Sequence, residues 1–200
     1  MAGEAIDDAL RPLQLRTSRL DLIAATADTV ALELRDVAAF ATAIGVPVPA
    51  QWPAPLNDED SQRWYLDMLQ RDPRSVGWAL WYVVRREPQR ELIGVVGFKG
   101  RPDDGECEIG YSLLPAFHGH GYATEAARAL IGWAFAREDV ARVTAETLAD
   151  LVDSIRVIEK CAMMFVGRGS EEAGQPTVRY AVTRAAFHGA DEQSSSRRSR

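Results

Sequence analysis

Two glycines stand immediately before a helix-patterned run, in the stretch FHGHGYATEAARALIGWAF that covers residues 117–135. Gly119 and Gly121 each follow a histidine. Glycine lacks Cβ and tolerates a positive φ, so successive backbone N–H groups can converge on one anion. The first turn of a helix adds unpaired N–H donors and a partial positive charge. The stretch therefore predicts either a cradle for a pyrophosphate or simply a turn after Pro115 ends the preceding strand.

Two common phosphate-binding motifs do not fit this stretch. A Walker-type loop ends in Gly-Lys-Ser or Gly-Lys-Thr, and these residues are absent from it. A dinucleotide fingerprint needs a third small residue where Thr124 stands, and it belongs in a parallel strand–helix–strand unit. The pattern before the glycines is instead that of short antiparallel strands. Both motifs are excluded.

The histidines and cysteines predict neither a metal site nor a covalent mechanism. His118 and His120 have the spacing of a metal pair, but two imidazoles are too few ligands for a closed site. Cys107 and Cys161 do not make a disulfide framework, and we expect them to pack as small apolar groups. A cysteine nucleophile would need a paired base, which the sequence does not display. We predict no metal.

Charge and composition narrow the class of partner. A formal charge of −6 over 200 residues argues against nonspecific binding to nucleic acid or to an anionic membrane. The first ten residues, MAGEAIDDAL, carry three acids and no apolar core, so they do not predict a signal peptide. No apolar run is long enough to cross a bilayer. We predict a cytoplasmic protein with reduced thiols.

Hydrophobic periodicity predicts an α/β fold. The links EPQR and RPDDG are too short to hold a crossover helix, so the three strands that they join should be antiparallel. Asp28 is the predicted cap of the first helix. The proline-rich segment 45–55 should form an ordered loop or a lid. The predicted strands cover residues 13–26, 76–86, 91–100, 106–114, 141–147, 164–168 and 177–183, and the predicted helices cover 29–43, 58–70, 121–137 and 153–164.

In this context, EIGYSLLPAFHGHGYATEA resembles the acetyl-CoA-binding signature of the GNAT superfamily of N-acetyltransferases. The resemblance is strongest to the branch of ribosomal-protein N-terminal acetyltransferases. The signature (Arg or Gln, two residues, Gly, one residue, Gly or Ala) falls on residues 118–123, with His118 at its first position. LRTSRLDL near the start and DSIRVIEKCAMMFVG near the end resemble further landmarks in the expected order. The match spans residues 13–184.

The resemblance implies a mixed, mostly antiparallel, twisted sheet that splays open after its fourth strand and is flanked by about four helices. Residues 1–189 would form a single acetyltransferase domain and residues 190–200 a disordered tail. The pantetheine arm of acetyl-CoA would lie in the cleft and its pyrophosphate on the glycine loop. The N–H of Leu113 would face the thioester oxygen. The implied cofactor-binding residues are Leu113, Leu114, His118, Gly119, His120, Gly121, Tyr122, Ala123 and Thr124.

Acetyl transfer to an amine also requires a base and a group that assists the departing thiolate. Strand alternation puts Glu106 and Glu108 on one face, and we predict Glu108 as the base, the alternative being a solvated strand face. Ser154 is the candidate at the leaving group, the alternative being a helix cap. Tyr111 is a further candidate for the leaving group, the alternative being the core.

The acceptor groove is suggested by one aromatic residue in the proline-rich loop. Trp52 lies where the resembling family borders its acceptor groove, so we predict that Trp52 contacts the acceptor. Tyr111 is the second residue predicted to contact it. The acidic net charge fits a cationic acceptor without requiring one.

Three positions depart from the family pattern. Leu151 stands where the last helix usually opens with Asn, Ile158 where many members have a general-acid Tyr, and Ala162 where that helix usually ends with Gly. If residue 162 must be left-handed, alanine costs on the order of 1 kcal/mol.

The sequence thus predicts an acetyl-CoA-dependent N-acetyltransferase that acts on a primary amine, either a protein N-terminus or a small molecule, by direct attack in a ternary complex. The alternative is a CoA-binding regulatory or interaction module without turnover, which the three departures motivate. The sequence allows a homodimer and requires none.

Overall fold

The computed structural model describes residues 13–172 and 174–190. The sequence arguments about residues 1–10, and all of the predicted tail except Ala190, concern residues outside this description.

The eight described strands form one sheet in the order β1-β2-β3-β4-β5-β6-β8-β7. Neighbouring strands are antiparallel except for β5 and β6, which are parallel. The antiparallel meander predicted from the short links is therefore confirmed, as is the mixed, mostly antiparallel α/β fold. The strands are β1 (Gln14–Arg16), β2 (Leu20–Ala24), β3 (Leu80–Arg85), β4 (Glu91–Phe98), β5 (Glu106–Leu113), β6 (Arg142–Leu148), β7 (Met164–Glu172) and β8 (Gln175–Thr183).

The first strand was predicted to run unbroken through residues 13–26, which is wrong. The chain instead forms an antiparallel hairpin whose two strands, β1 and β2, are joined at residues 17–19. Thr17 closes this turn, because its backbone N–H donates to the Leu20 carbonyl and its hydroxyl accepts from the Leu20 N–H. Residues 16–19 are all polar, so the alternation of apolar residues is interrupted at the turn, and the prediction of a single strand overlooked this break.

The helices are α1 (Ala27–Arg35), α2 (Val37–Ile44), α3 (Glu59–Arg71), α4 (Tyr122–Phe135) and α5 (Val152–Lys160), followed by α6 at residues 184–190. The first predicted helix is two helices, because the carboxylate of Asp36 accepts from the N–H groups of Ala38 and Ala39 and so starts α2. The cap of α1 is Thr26 rather than Asp28. The terminal helix α6, which the sequence analysis did not predict, packs Phe187 against Phe135.

The sheet has an apolar core on each face. On one face, α1, α2 and α3 contribute Val30, Phe40 and Leu69, which pack with Tyr82 of β3. On the other face, α4 and α5 cover the sheet with buried residues such as Leu130. None of the helices in the described ranges is long and apolar enough to cross a bilayer.

The parallel pairing between β5 and β6 is short. It runs only from Glu106 opposite Arg142 to Glu108 opposite Thr144, although β5 continues to Leu113. The two strands therefore diverge beyond Glu108 and leave a cleft, as the resemblance implied. The glycine loop between β5 and α4 lies at the end of this cleft.

Candidate active site

The glycine loop has the backbone shape that the sequence predicted. Gly119 and Gly121 adopt φ of 76° and 80°, a left-handed conformation that other residues rarely take. A Cβ at Gly119 would meet no atom of the described residues within 4 Å, so the space in front of it is open. The first turn of α4 has no side-chain cap from the described residues. Its N–H groups are thus free to face an anion, with the positive end of the helix dipole behind them.

The two histidines of the loop are engaged by the loop itself. His118 Nε2 lies 2.9 Å from the Leu113 carbonyl oxygen, which can only accept, so this nitrogen donates. His120 Nδ1 lies 2.7 Å from the His118 carbonyl in the same way, and its ring stacks near Tyr122. Neither imidazole belongs to a group of three metal-ligating side chains anywhere in residues 13–172 and 174–190.

The backbone of β5 presents alternate residues to the cleft. Leu114 N–H donates to the Ile93 carbonyl and Lys99 N–H donates to the Glu108 carbonyl, so the even-numbered residues of β5 pair with β4. In an antiparallel ladder the intervening residues turn their N–H groups away from that partner. The N–H of Leu113 therefore points towards the side from which β6 has diverged. The N–H of Leu114 is already used by β4.

These features fit acetyl-CoA. An extended pantetheine arm needs unpaired backbone groups along a strand edge, and β5 offers them where β6 diverges. A pyrophosphate needs converging N–H groups and room, and the uncapped start of α4 beside Gly119 supplies both.

Glu108 lies on the face of β5 opposite the α4 side. Its carboxylate is 2.5 Å from Lys99 Nζ, and its side chain is 22% exposed. The Tyr65 hydroxyl lies near enough for the charge of Glu108 to add to the effect of burial, and together they raise the pKa of Tyr65 to about 12. Glu106, in contrast, forms surface ion pairs with Arg142 and Arg179. Glu108 is therefore half-buried and paired, unlike a freely solvated carboxylate.

Ser154 and Tyr111 lie together on the other face of the sheet. The Tyr111 hydroxyl is 2.9 Å from the Ser154 carbonyl oxygen and 3.1 Å from Ser154 Oγ. Burial raises the pKa of Tyr111 well above its usual value, so the phenol stays protonated. Helix α5 begins at Val152 without a side-chain hydrogen bond at its cap, so Ser154 does not have the alternative role of capping residue. Tyr111 is half-buried against the apolar core, which was the alternative to its predicted role at the leaving group.

Trp52 is anchored by its indole nitrogen. Trp52 Nε1 donates to Glu33 Oε1 at 3.0 Å, and its ring lies 6.4 Å from those of Phe40 and Tyr82. Four residues later the loop returns to β5, where the Leu56 N–H donates to Ser112 Oγ. The loop is thus held on the same face of the sheet as Glu108. Contact between Trp52 and an acceptor stays a prediction.

Three functional candidates were not identified from the sequence. Glu33 is a buried carboxylate, whereas Arg19 and Glu125 form an ion pair beside the glycine loop. Arg19 and Glu125 lie within the quoted landmarks LRTSRLDL and GYATEA, so the signal was present but its meaning depended on tertiary contact. Glu33 stands in an ordinary amphipathic helix, and no local pattern distinguishes it.

A sheet that splays beside an uncapped glycine loop is compatible with a transferase of the acyl-CoA type. Comparison with known proteins agrees: residues 20–164 match the family model described as Acetyltransferase (GNAT) domain. The chain is 30% identical over 131 residues to the uncharacterized N-acetyltransferase YjdG of Bacillus subtilis, which covers 64% of this chain and 76% of YjdG.

Two solved structures illustrate the fold. The ribosomal L7/L12 alpha-N-protein acetyltransferase RimL in complex with coenzyme A aligns with a TM-score of 0.62 at 20% identity, covering 86% of this chain and 98% of RimL. The microcin C7 self immunity acetyltransferase MccE, in complex with acetyl-CoA and AMP, aligns with a TM-score of 0.59 at 17% identity over 84% and 93% of the two chains. The chain belongs to the GNAT acetyltransferase family and is an acyltransferase.

Proposed function

We propose that the protein binds acetyl-CoA in the cleft beside β5 and transfers its acetyl group to a primary amine by direct attack in a ternary complex. The observation that carries this proposal is the left-handed glycine loop, whose uncapped N–H groups adjoin the diverging edge of β5. When bound, acetyl-CoA would supply the acetyl group as a reactive thioester.

The cofactor would be held mainly by backbone groups. The residues predicted from the sequence to hold it are Leu113, Leu114, His118, Gly119, His120, Gly121, Tyr122, Ala123 and Thr124. The N–H groups of Leu114 and His118 already donate to the carbonyl oxygens of Ile93 and Pro115, so the donors to the cofactor would come from the other residues. Fixing the reacting groups in one geometry can lower a barrier by roughly 7–11 kcal/mol. The N–H of Leu113 is the donor that would stabilise negative charge on the acetyl oxygen.

Proton movement would be divided between the two faces of the sheet. On the acceptor side, Glu108 would take a proton from the ammonium form of the amine, directly or through a water, as the amine displaces Lys99 from the carboxylate. On the thiol side, Tyr111 would turn its O–H from the Ser154 carbonyl to the departing sulfur, while the Ser154 hydroxyl would donate to the Tyr111 oxygen. Ser154 lies one helical turn before Ile158 on α5, and the resemblance places a general-acid Tyr of many family members at the position of Ile158.

The acceptor is a primary amine whose groove is bounded by the loop that carries Trp52. The printed descriptions of the structural relatives include an alpha-N-protein acetyltransferase and a microcin self immunity acetyltransferase. Both a protein N-terminus and a small amine are thus consistent with this fold. A cytoplasmic location and a homodimer stay predictions.

Titration calorimetry with acetyl-CoA, followed by a thiol-release assay over a panel of peptide and small-molecule amines, tests the proposal. We expect binding at one site per chain and release of CoA thiol with at least one class of amine. Binding without thiol release from any amine would favour the non-catalytic CoA-binding module. Absence of binding would overturn the proposal.

A further inference from the structure

The carboxylate of Glu125, in the first turn of α4, collects hydrogen bonds from the turn between β1 and β2. Its Oε1 accepts from Thr17 Oγ1 at 2.5 Å, Ser18 Oγ at 2.9 Å and the Arg19 N–H at 2.8 Å. Its Oε2 accepts from Arg19 Nε at 2.6 Å. More than a hundred residues separate Glu125 from these donors along the chain. The contact is therefore a tertiary clamp, and none of these bonds serves as a cap within α4.

The clamp reaches the glycine loop through Arg19. The guanidinium that binds Glu125 also donates to the His120 carbonyl at 3.0 Å and lies 4.5 Å above the ring of Tyr122. In a planar trans peptide the C=O and the following N–H point in opposite directions. Because Arg19 holds the His120 carbonyl, it turns the N–H of Gly121 away from itself and fixes the orientation of that amide.

The turn is itself tied to the sheet on its other side. Arg86, just beyond β3, donates to the carbonyl oxygens of Thr17, Ser18 and Leu20. The start of α4 is therefore connected to β3 through a short series of charge-assisted hydrogen bonds. Such bonds are stronger and more directional than those between neutral groups.

The charge state of Glu125 agrees with this role. Its burial alone would raise the pKa of the carboxyl, but the hydrogen bonds from Thr17, Arg19 and Ser18 outweigh burial and lower it. Glu125 is therefore ionised at neutral pH and neutralises Arg19, which would otherwise be a free cation beside the loop.

We infer that Glu125 is a positioning residue that, through Arg19, holds the amides of the glycine loop in the orientation that receives a diphosphate. The inference rests on the proposed function, because the loop is taken to be the diphosphate site. A tether that merely stabilises the fold would use the same contacts, so the test must separate loop geometry from global stability.

The test compares wild-type protein with Glu125→Gln and with Arg19→Gln. Arg19→Gln removes the hydrogen bond to the His120 carbonyl. It keeps three of the groups that donate to the Glu125 carboxylate, namely the two hydroxyls and the backbone N–H of residue 19. Glu59→Gln is the matched control, because Glu59 forms an exposed ion pair with Arg63 far from the loop. Each protein is titrated with CoA by calorimetry, and amide hydrogen exchange is followed in the ligand-free state.

We expect Glu125→Gln to weaken CoA binding about tenfold, as loss of a charge-assisted hydrogen bond would. Exchange should accelerate at the hydrogen-bonded amides that flank the loop, those of residues 118 and 125, but not in β3 and β4. Arg19→Gln should give the same two results, and it carries the test if Glu125→Gln does not fold. Glu59→Gln should change neither quantity.

Wild-type binding with unchanged affinity and unchanged loop exchange in the folded variants would overturn this inference alone. Tighter CoA binding by Glu125→Gln would do the same, because it would mean that a released Arg19 serves the phosphates better than a clamped one. Failure of wild-type protein to bind CoA would instead overturn the proposed function, and the inference with it.

Discussion

Glu33 should make the stability of the protein fall as the pH rises from about 4.5 to about 7. The side chain is only 5% exposed, and its carboxylate accepts from four neutral donors. Oε1 accepts from Trp52, Asn57 and Gln62 at 2.8–3.0 Å, and Oε2 accepts from the Tyr82 hydroxyl at 2.8 Å. Burial raises the pKa of Glu33 from 4.5 to about 7, although the hydrogen bonds from Tyr82, Asn57 and Trp52 oppose this rise.

The size of the effect follows from the two pKa values. Because one pKa unit is about 1.4 kcal/mol, raising the pKa from 4.5 to about 7 corresponds to about 3 kcal/mol. The folded state binds the proton more tightly than the unfolded state, so this contribution is complete below pH 4.5. It is lost as the pH rises to about 7, and the free energy of unfolding falls over that window.

Glu33→Gln isolates this contribution. The glutamine carbonyl can accept from Trp52, Asn57 and Gln62, while its amide faces a Tyr82 hydroxyl that can rotate to accept, as it would from a protonated Glu33. The variant should match the wild type at pH 4.5. It should be more stable than the wild type at pH 8, by about 3 kcal/mol.

Urea unfolding, followed by tryptophan fluorescence at several pH values between 4.5 and 8, measures this difference. The variant must be compared with the wild type at each pH, because carboxyls with lowered pKa values, such as those of Glu125 and Glu146, make stability fall in the opposite direction, towards acid. Glu59→Gln, on an exposed helix surface, is the control and should give a constant difference. A difference between Glu33→Gln and wild type that does not change with pH would refute the reasoning.

Three further substitutions test separate parts of the site. Gly121→Val should leave the fold largely intact but weaken CoA binding more than tenfold, because the residue has φ of 80° and its Cβ would lie 3.5 Å from the Arg19 guanidinium. Unchanged affinity by calorimetry would contradict the placement of the pyrophosphate on the glycine loop. Glu108→Gln should lower kcat about a hundredfold while the Kd for CoA stays the same, and an unaltered rate would remove Glu108 as the base. Ala162→Gly should raise the free energy of unfolding by about 1 kcal/mol, because Ala162 has φ of 61°, which strains a residue with a Cβ. A loss of stability in urea unfolding would mean that the packing of the Ala162 methyl group outweighs the backbone strain.

Local patterns predicted much of the sheet and the loop. The short links EPQR and RPDDG specify the antiparallel meander, because no crossover helix fits into them. Gly119 and Gly121 predict a left-handed backbone, which both adopt. The same reasoning failed at Asp36, where a polar residue inside an apolar period starts a new helix. A capping bond competes with helix continuation on nearly equal terms, so periodicity does not reveal which one forms.

The amino-acid sequence by itself determined which segments can pair and where the backbone must turn, because steric limits and hydrophobic periods act over a few residues. Only the tertiary structure decided which side chains meet. Glu125 joins Arg19 across 106 positions, and Glu33 joins Tyr82 across 49. Tyr111 likewise meets Ser154 across 43. Such contacts depend on how the strands register and how the helices pack. The roles of the polar groups on which the loop and the groove depend therefore follow from these contacts, even where, as at Arg19 and Glu125, the residues lie within recognisable sequence landmarks.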